Sequence, residues 1–211
     1  MNSFDERARD WDADPAKVER ARVVAQAINA ALPPNRQMTA LEYGCGTGLL
    51  SFALGDSFTS ITLADTSQGM LDVLAIKIEQ ANIHHFHPLH LDLGSQPLPS
   101  TQYEVIYSLM TMHHILDTSQ FLAHFYNLLK PGGLLCVADL EKEDGSFHGP
   151  SVTDVHKGFD RLEFQAELEK SGFSDIQFSS VFEVKKVIAG QEKAFPVFLA
   201  VARKPGILLQ S

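Results

Sequence analysis

Three groups of residues in this sequence could hold or transform a ligand. The first is Glu42-Tyr43-Gly44-Cys45-Gly46-Thr47-Gly48, with glycines at alternate positions. Such a loop turns sharply and brings backbone close to a ligand with no Cβ in the way. A dinucleotide cradle needs G-x-G-x-x-G. Here the third glycine comes one residue early, at Gly48, and Leu49 stands in the expected place. A ligand without a pyrophosphate fits that spacing better, although a purely structural turn would carry the same glycines. The second group is a pair of acids. Asp65 could accept charge-assisted hydrogen bonds from both hydroxyls of a ribose, and Asp92 could accept from an exocyclic amine such as adenine N6. Either acid alone reads as a surface or capping residue.

The third group is Met110-Thr111-Met112-His113-His114-Ile115. A histidine here could act as a general base toward a ligand hydroxyl, and His113 is the better placed by loop position. A histidine tied to backbone would look the same in sequence. His84, His85, His87 and His90 crowd another segment, where His85 and His87 could share a strand face. No carboxylate or thiolate spacing joins them, so they read as a solvated strand start and no metal is expected. Cys45 and Cys136 are too few for a disulfide framework, and Cys45 reads as a small packing residue.

These groups need elements to position them. Apolar side chains recur at helical spacing over 16–32, with Pro15 suited to the first turn and Pro33-Pro34 to stop the helix. Strand-like runs at 38–43, 60–64, 87–91, 103–109 and 134–138 alternate with helical patterns. Those patterns run from the glycine loop to about residue 54, then over 70–81 and 118–129. Lys130-Pro131-Gly132-Gly133 reads as a turn. This alternation implies right-handed crossovers and a parallel sheet covered on both faces. Residues 159–171 read as a helix capped by Gly172. Residues 173–188 and 194–202 read as a hairpin joined by Ala189-Gly190-Gln191-Glu192, so at least one strand must run antiparallel. The expected class is α/β, a Rossmann-like, mostly parallel sheet. Its ligand would sit beyond the carboxyl ends of the strands, where the glycine loop, Asp65 and Asp92 fall.

The charge is formally −9, from 17 Lys and Arg against 26 Asp and Glu. That balance argues against general affinity for nucleic acid or an anionic membrane, both of which need a basic face. No apolar run approaches the 18 or so residues needed to span a bilayer, and the charged start lacks the apolar stretch of a secretory signal. The expectation is one cytoplasmic domain, a monomer or homodimer.

Leu41-Glu42-Tyr43-Gly44-Cys45-Gly46-Thr47-Gly48 resembles motif I of the class I S-adenosylmethionine-dependent methyltransferases, E/D-x-G-x-G-x-G. Ala64-Asp65-Thr66-Ser67-Gln68-Gly69-Met70-Leu71 is similar to the second motif, D-x-S-x-x-M-L, and Asp92-Leu93 to the acidic position near adenine. Tyr103 to Ser108 resembles the fourth-strand motif, and Leu129-Lys130-Pro131-Gly132-Gly133 resembles the L-x-P-G-G turn. The resemblance covers 38–140 in order and implies a seven-stranded sheet with the last strand antiparallel. It also implies that Gly44, Gly46 and Gly48, with Cys45 among them, pass under the methionine and ribose of the cofactor. Glu42 would act near the methionine ammonium, and Ser108 would offer it a backbone carbonyl. Asp65 would hold the ribose, Thr66 and Met70 would pack on adenine, and Asp92 would meet N6 beside the Leu93 amide.

The opening Phe4-Asp5-Glu6-Arg7-Ala8-Arg9-Asp10-Trp11-Asp12 resembles the F/Y-D-x-x-A-x-x-W/Y-D start of many small-molecule members, where it can fold over the cofactor. Phe4 and Trp11 would then be pocket residues; a disordered tail is the alternative. Residues 144–159 form a second lid candidate and would offer Phe147, His148, His156 and Phe159 to the methyl acceptor, together with His113. The expected layout is one domain, with lid and first helix at 1–34 and a cofactor core at 38–140. An acceptor-side insertion follows at 141–160, and the closing helix and hairpin at 161–211. The strand-four position lacks the N/D-P-P-Y/F of amine methylation on bases, and no Pro-Cys pair for cytosine C5 is present. A small organic acceptor is therefore expected. The alternatives are a cofactor-binding regulator without transfer activity, or a methyltransferase of protein or RNA. A nicotinamide enzyme is disfavoured by the glycine spacing.

Overall fold

The computed structural model describes residues 3–33, 37–149, 152 and 154–206. Its sheet is built from β1 (Thr39–Tyr43), β2 (Ser60–Asp65), β3 (Phe86–His90), β4 (Tyr103–Leu109), β5 (Leu129–Leu140), β6 (Ser174–Ile188) and β7 (Gln191–Arg203). The order is β3-β2-β1-β4-β5-β7-β6. The first five strands pair in parallel, while β7 runs antiparallel to both β5 and β6. Strand order reverses between β1 and β4, which opens a crevice at their carboxyl ends.

The helices are α1 (Ser3–Arg7), α2 (Pro15–Ala31), α3 (Leu49–Leu54), α4 (Gln68–Gln80), α5 (Thr118–Leu128) and α6 (Arg161–Lys170). Polar residues set where they start: the side chains of Asp14, Ser67, Asp117 and Asp160 accept backbone N–H groups of α2, α4, α5 and α6. Two apolar layers sandwich the sheet. Ala21, Val24, Ala25 and Ile28 of α2, Leu50 of α3 and Leu74 of α4 pack on one face. Phe121, Leu122 and Phe125 of α5 and Phe164 and Leu168 of α6 pack on the other. Along β5 the burial alternates between these layers, Leu134, Cys136 and Ala138 on one side and Leu135 and Val137 on the other.

Two local expectations change, and one of two alternatives is decided. The turn read at Lys130–Gly133 lies inside β5 as a register shift against β4, with Tyr103 opposite Leu129 but Val105 opposite Leu134. The terminal hairpin turns in two residues rather than four: Ala189 and Gly190 both have positive φ, at 51° and 81°, as a tight primed turn requires. Residues 3–13 are folded rather than a loose tail, as α1 followed by a 3₁₀ turn over Ala8–Ala13. Pro34, expected to help end α2, lies outside the described residues. No helix among the described residues is long and apolar enough to cross a membrane.

Candidate functional site

The crevice holds the loop between β1 and α3. A Cβ on Gly44 would collide with the Thr111 side chain, and φ there is +71°, so only glycine fits. At Gly46 a Cβ would meet nothing closer than 3.9 Å, where Met70 Sδ and Trp11 Nε1 stand. The loop is thus closed behind, at Gly44, while at Gly46 a Cβ would just touch Met70 and Trp11. Asp65, at the end of β2, accepts the Gly46 amide at 2.7 Å and the Ser67 amide at 2.8 Å. Burial raises its carboxyl above the usual range despite those backbone hydrogen bonds.

Glu42 is 2 % exposed and accepts a hydrogen bond from Ser51, whose hydroxyl lies 2.7 Å from that of Tyr107. Burial pushes its carboxyl up to about 8, against the Ser51 hydrogen bond and with the Asp65 charge adding to the rise. Burial also drives the Cys45 thiol far up, so it is a poor nucleophile at neutral pH. Met70 is buried beside Gly46. Asp92 is occupied in its own turn, accepting from Gly94 N at 2.9 Å and Ser95 Oγ at 2.7 Å. The Leu93 amide donates to the Tyr43 hydroxyl. The Ser108 hydroxyl is buried and has no hydrogen-bond partner among the described residues.

The chain leaves β4 through Met110, whose φ of 56° is a strained value for a bulky residue. That turn sends Met112–His114 back over the end of β5. His113 Nδ1 lies 2.6 Å from Asp139 Oδ1, and its backbone N–H donates to Oδ2 at 3.3 Å. The two residues are 1 % and 0 % exposed. Burial alone would raise the Asp139 carboxyl, but the charge and hydrogen bond of His113 hold it below the usual range. The His113 ring lies 4.1 Å from that of His114 and 5.0 Å from that of His148. Burial, then the neighbouring His113, depresses both His114 and His148 to about 4, so both are neutral at pH 7.

The N-terminal segment closes over these groups. Asp5 accepts from Ser67 Oγ and from the Gly69 amide. Asp12 binds Thr47 of the glycine loop and Lys77 of α4. Phe4 lies edge-on to Trp11 and to His114, at 6.0 and 5.4 Å. Two expected pocket residues fall elsewhere. Phe159 is a core residue, its ring packed on Phe164 and Phe198. His156 straps the loop after β4, its backbone N–H donating to His113 O and its Nε2 lying 2.9 Å from Ile115 O.

Sequence reasoning missed Asp139 and Arg20. The first carried a signal: an acid ending the apolar run Leu134-Leu135-Cys136-Val137-Ala138 must find a partner if buried. Arg20 carried none. Its Nε is buried without a hydrogen-bond partner among the described residues, and burial lowers its pKa.

A doubly wound α/β sheet with a glycine loop and an acid on successive strand ends defines a nucleoside-cofactor-binding protein. The family model for a methyltransferase domain matches residues 17–177, and the chain belongs to that family. An uncharacterized methyltransferase of Schizosaccharomyces pombe is 38% identical over 120 residues, covering 53% of this chain and 42% of the relative. The ubiquinone biosynthesis O-methyltransferase of Caulobacter vibrioides is 30% identical over 121 residues, covering 54% and 45%. The match thus spans about half the length of these relatives. In fold the chain is similar to the YcgJ protein of Bacillus subtilis, with a TM-score of 0.70, 13% identity, and coverage of 86% of this chain and 98% of that one. It is similar also to phosphoethanolamine N-methyltransferase 2 of Haemonchus contortus, solved with S-adenosyl-L-methionine. That TM-score is 0.69, at 14% identity over 97% of this chain and 60% of the other.

Proposed function

We propose that this protein transfers a methyl group from S-adenosylmethionine to a hydroxyl of a small organic acceptor. The observation that carries the cofactor is the loop held by Asp65, packed against Thr111 at Gly44 and facing Met70 and Trp11 at Gly46. The residues fit the cofactor's chemistry. Asp65 would take the ribose hydroxyls, Glu42 would answer the ammonium, and Met70 and Thr66 would pack near the base. Asp92 would turn from its own loop to adenine N6. Arg20 is our candidate for the methionine carboxylate, its buried Nε having no hydrogen-bond partner among the described residues.

The cofactor supplies a methyl already activated on sulfonium, so the chain's work is to align the acceptor and exclude water. Phe4, Trp11 and residues 3–13 would form the lid. His113 would take the acceptor's proton on Nε2, since Nδ1 faces Asp139, and Asp139 would stabilise the imidazolium. His148 would line the same space. The acidic balance and the aromatic and imidazole groups clustered at the site favour a small acceptor over RNA.

Calorimetric titration with S-adenosylhomocysteine and with NAD tests the reading. S-adenosylhomocysteine should bind and NAD should not, and Asp65→Ala should weaken binding at least ten-fold. Binding of NAD alone would overturn the proposal.

A further inference from the structure

We propose that His113, His114 and His148 form a binding site for one transition-metal ion of the Zn²⁺ class. One ring nitrogen from each residue lies within 4.8 Å of the others, and the His114 and His148 ring centroids are 5.1 Å apart. Imidazole nitrogens about 2.0–2.1 Å from a tetrahedral Zn²⁺ sit roughly 3.3 Å from one another. The set therefore has to close by at most about 1.5 Å. The half-buried His114 and His148 can supply that motion by ring rotation, while the fully buried His113 stays fixed by Asp139.

The surroundings match what a metal-binding imidazole needs. The His113 Nδ1 contact with the Asp139 carboxylate holds the ring orientation and leaves Nε2 as the donor, the arrangement that supports metal-bound histidines. His148 Nε2 is buried and has no hydrogen-bond partner among the described residues. A bound ion would satisfy a buried nitrogen of that kind.

Charge selects the class of ion. Arg7 and Lys186 act on His148 as like charges, and Arg7 on His114 as well, while Asp139 is the acid that answers them. An ion held mainly by oxygen ligands and net charge, such as Mg²⁺ or Ca²⁺, has nothing to gain there. An ion that bonds strongly to imidazole, such as Zn²⁺ or Cu²⁺, does. Three imidazoles leave a fourth position for water or for an acceptor's oxygen or sulfur. This deepens the acceptor-site reading, and rests on it only for what the ion does. A bound ion takes the Nε2 lone pair that a general base would use, and lowers the acceptor's pKa by coordination instead.

The test is calorimetric titration of the chelator-treated full chain with Zn²⁺, and with Co²⁺ followed by its visible absorption, alongside the S-adenosylhomocysteine titration. One ion per chain is expected. His148→Ala and, separately, His114→Gln should weaken it at least ten-fold, and Asp139→Asn by about ten- to a hundred-fold. S-adenosylhomocysteine affinity should be unchanged in His148→Ala, which also shows that the variant folds. His85→Ala/His87→Ala should bind the ion as the parent does. Retained binding in both His148→Ala and His114→Gln, or its loss in the His85→Ala/His87→Ala variant, overturns the proposal. A chain that binds the ion but not S-adenosylhomocysteine would overturn the methyltransferase reading alone.

Discussion

His113 Nδ1 and Asp139 Oδ1 meet at 2.6 Å with both side chains withdrawn from water. In that setting the pair is structural before it is chemical. Removing one partner leaves the other buried without its complement, which typically costs about 3–5 kcal/mol. His113→Leu should therefore destabilise the fold by about that amount in urea denaturation. The double variant His113→Leu/Asp139→Leu should recover part of the loss. Additive losses in the two single variants and the double would show that the two residues do not depend on each other.

Glu42 predicts a pH dependence of stability. Its carboxyl titrates near 8 in the fold against 4.5 ordinarily, so the native state binds the proton more tightly than the unfolded chain does. The stability it contributes is complete below about pH 4.5 and is lost as pH rises through 8. Glu42→Gln should flatten the stability profile between those limits, by roughly 3–5 kcal/mol at the upper end. A profile as steep as the parent's would remove Glu42 as its source.

Cofactor binding should report on the same proton. A cationic ligand beside Glu42 favours the carboxylate, so at pH 7 binding of S-adenosylmethionine should release close to one proton. The measured heat should then differ between buffers of high and low ionisation enthalpy, and the difference should vanish in Glu42→Gln. Equal heats in both buffers would separate Glu42 from the cofactor's charge.

The parts of the site visible in sequence are those made by neighbours along the chain. Gly44, Gly46 and Gly48 encode their turn locally, and Asp65 follows a strand whose pattern is equally local. His113 was visible and Asp139 was not singled out, and their meeting depends on the parallel pairing of β4 with β5 and on the positive φ of Met110. His148 reaches His113 from an insertion with no periodicity to place it. Phe159 illustrates a related point: an aromatic in a variable loop reads as a pocket wall, and its packing on Phe164 and Phe198 appears only in the fold. The glycines of β5 read as a turn because their composition does not distinguish a hairpin from a bulge.

The N-terminal segment gives the last prediction. Asp5 and Asp12 tie it to the Ser67–Gly69 start of α4 and to Thr47 and Lys77, contacts that are polar and partly solvated. Few buried apolar contacts hold it, so it should open at low free-energy cost compared with the sheet. Trp11 faces the glycine loop at Gly46, so a ligand seated against that loop would add an apolar contact and hold the segment down. Amide exchange over residues 4–13 should slow by at least ten-fold when S-adenosylhomocysteine binds, while exchange in β4 and β5 stays nearly constant. Trp11→Ala should weaken that ligand by about five- to ten-fold, equivalent to roughly 1 kcal/mol of aromatic contact, with little change in the unfolding midpoint. Exchange over 4–13 that ignores the ligand would leave the segment as a fixed brace of α4 and remove it as a lid.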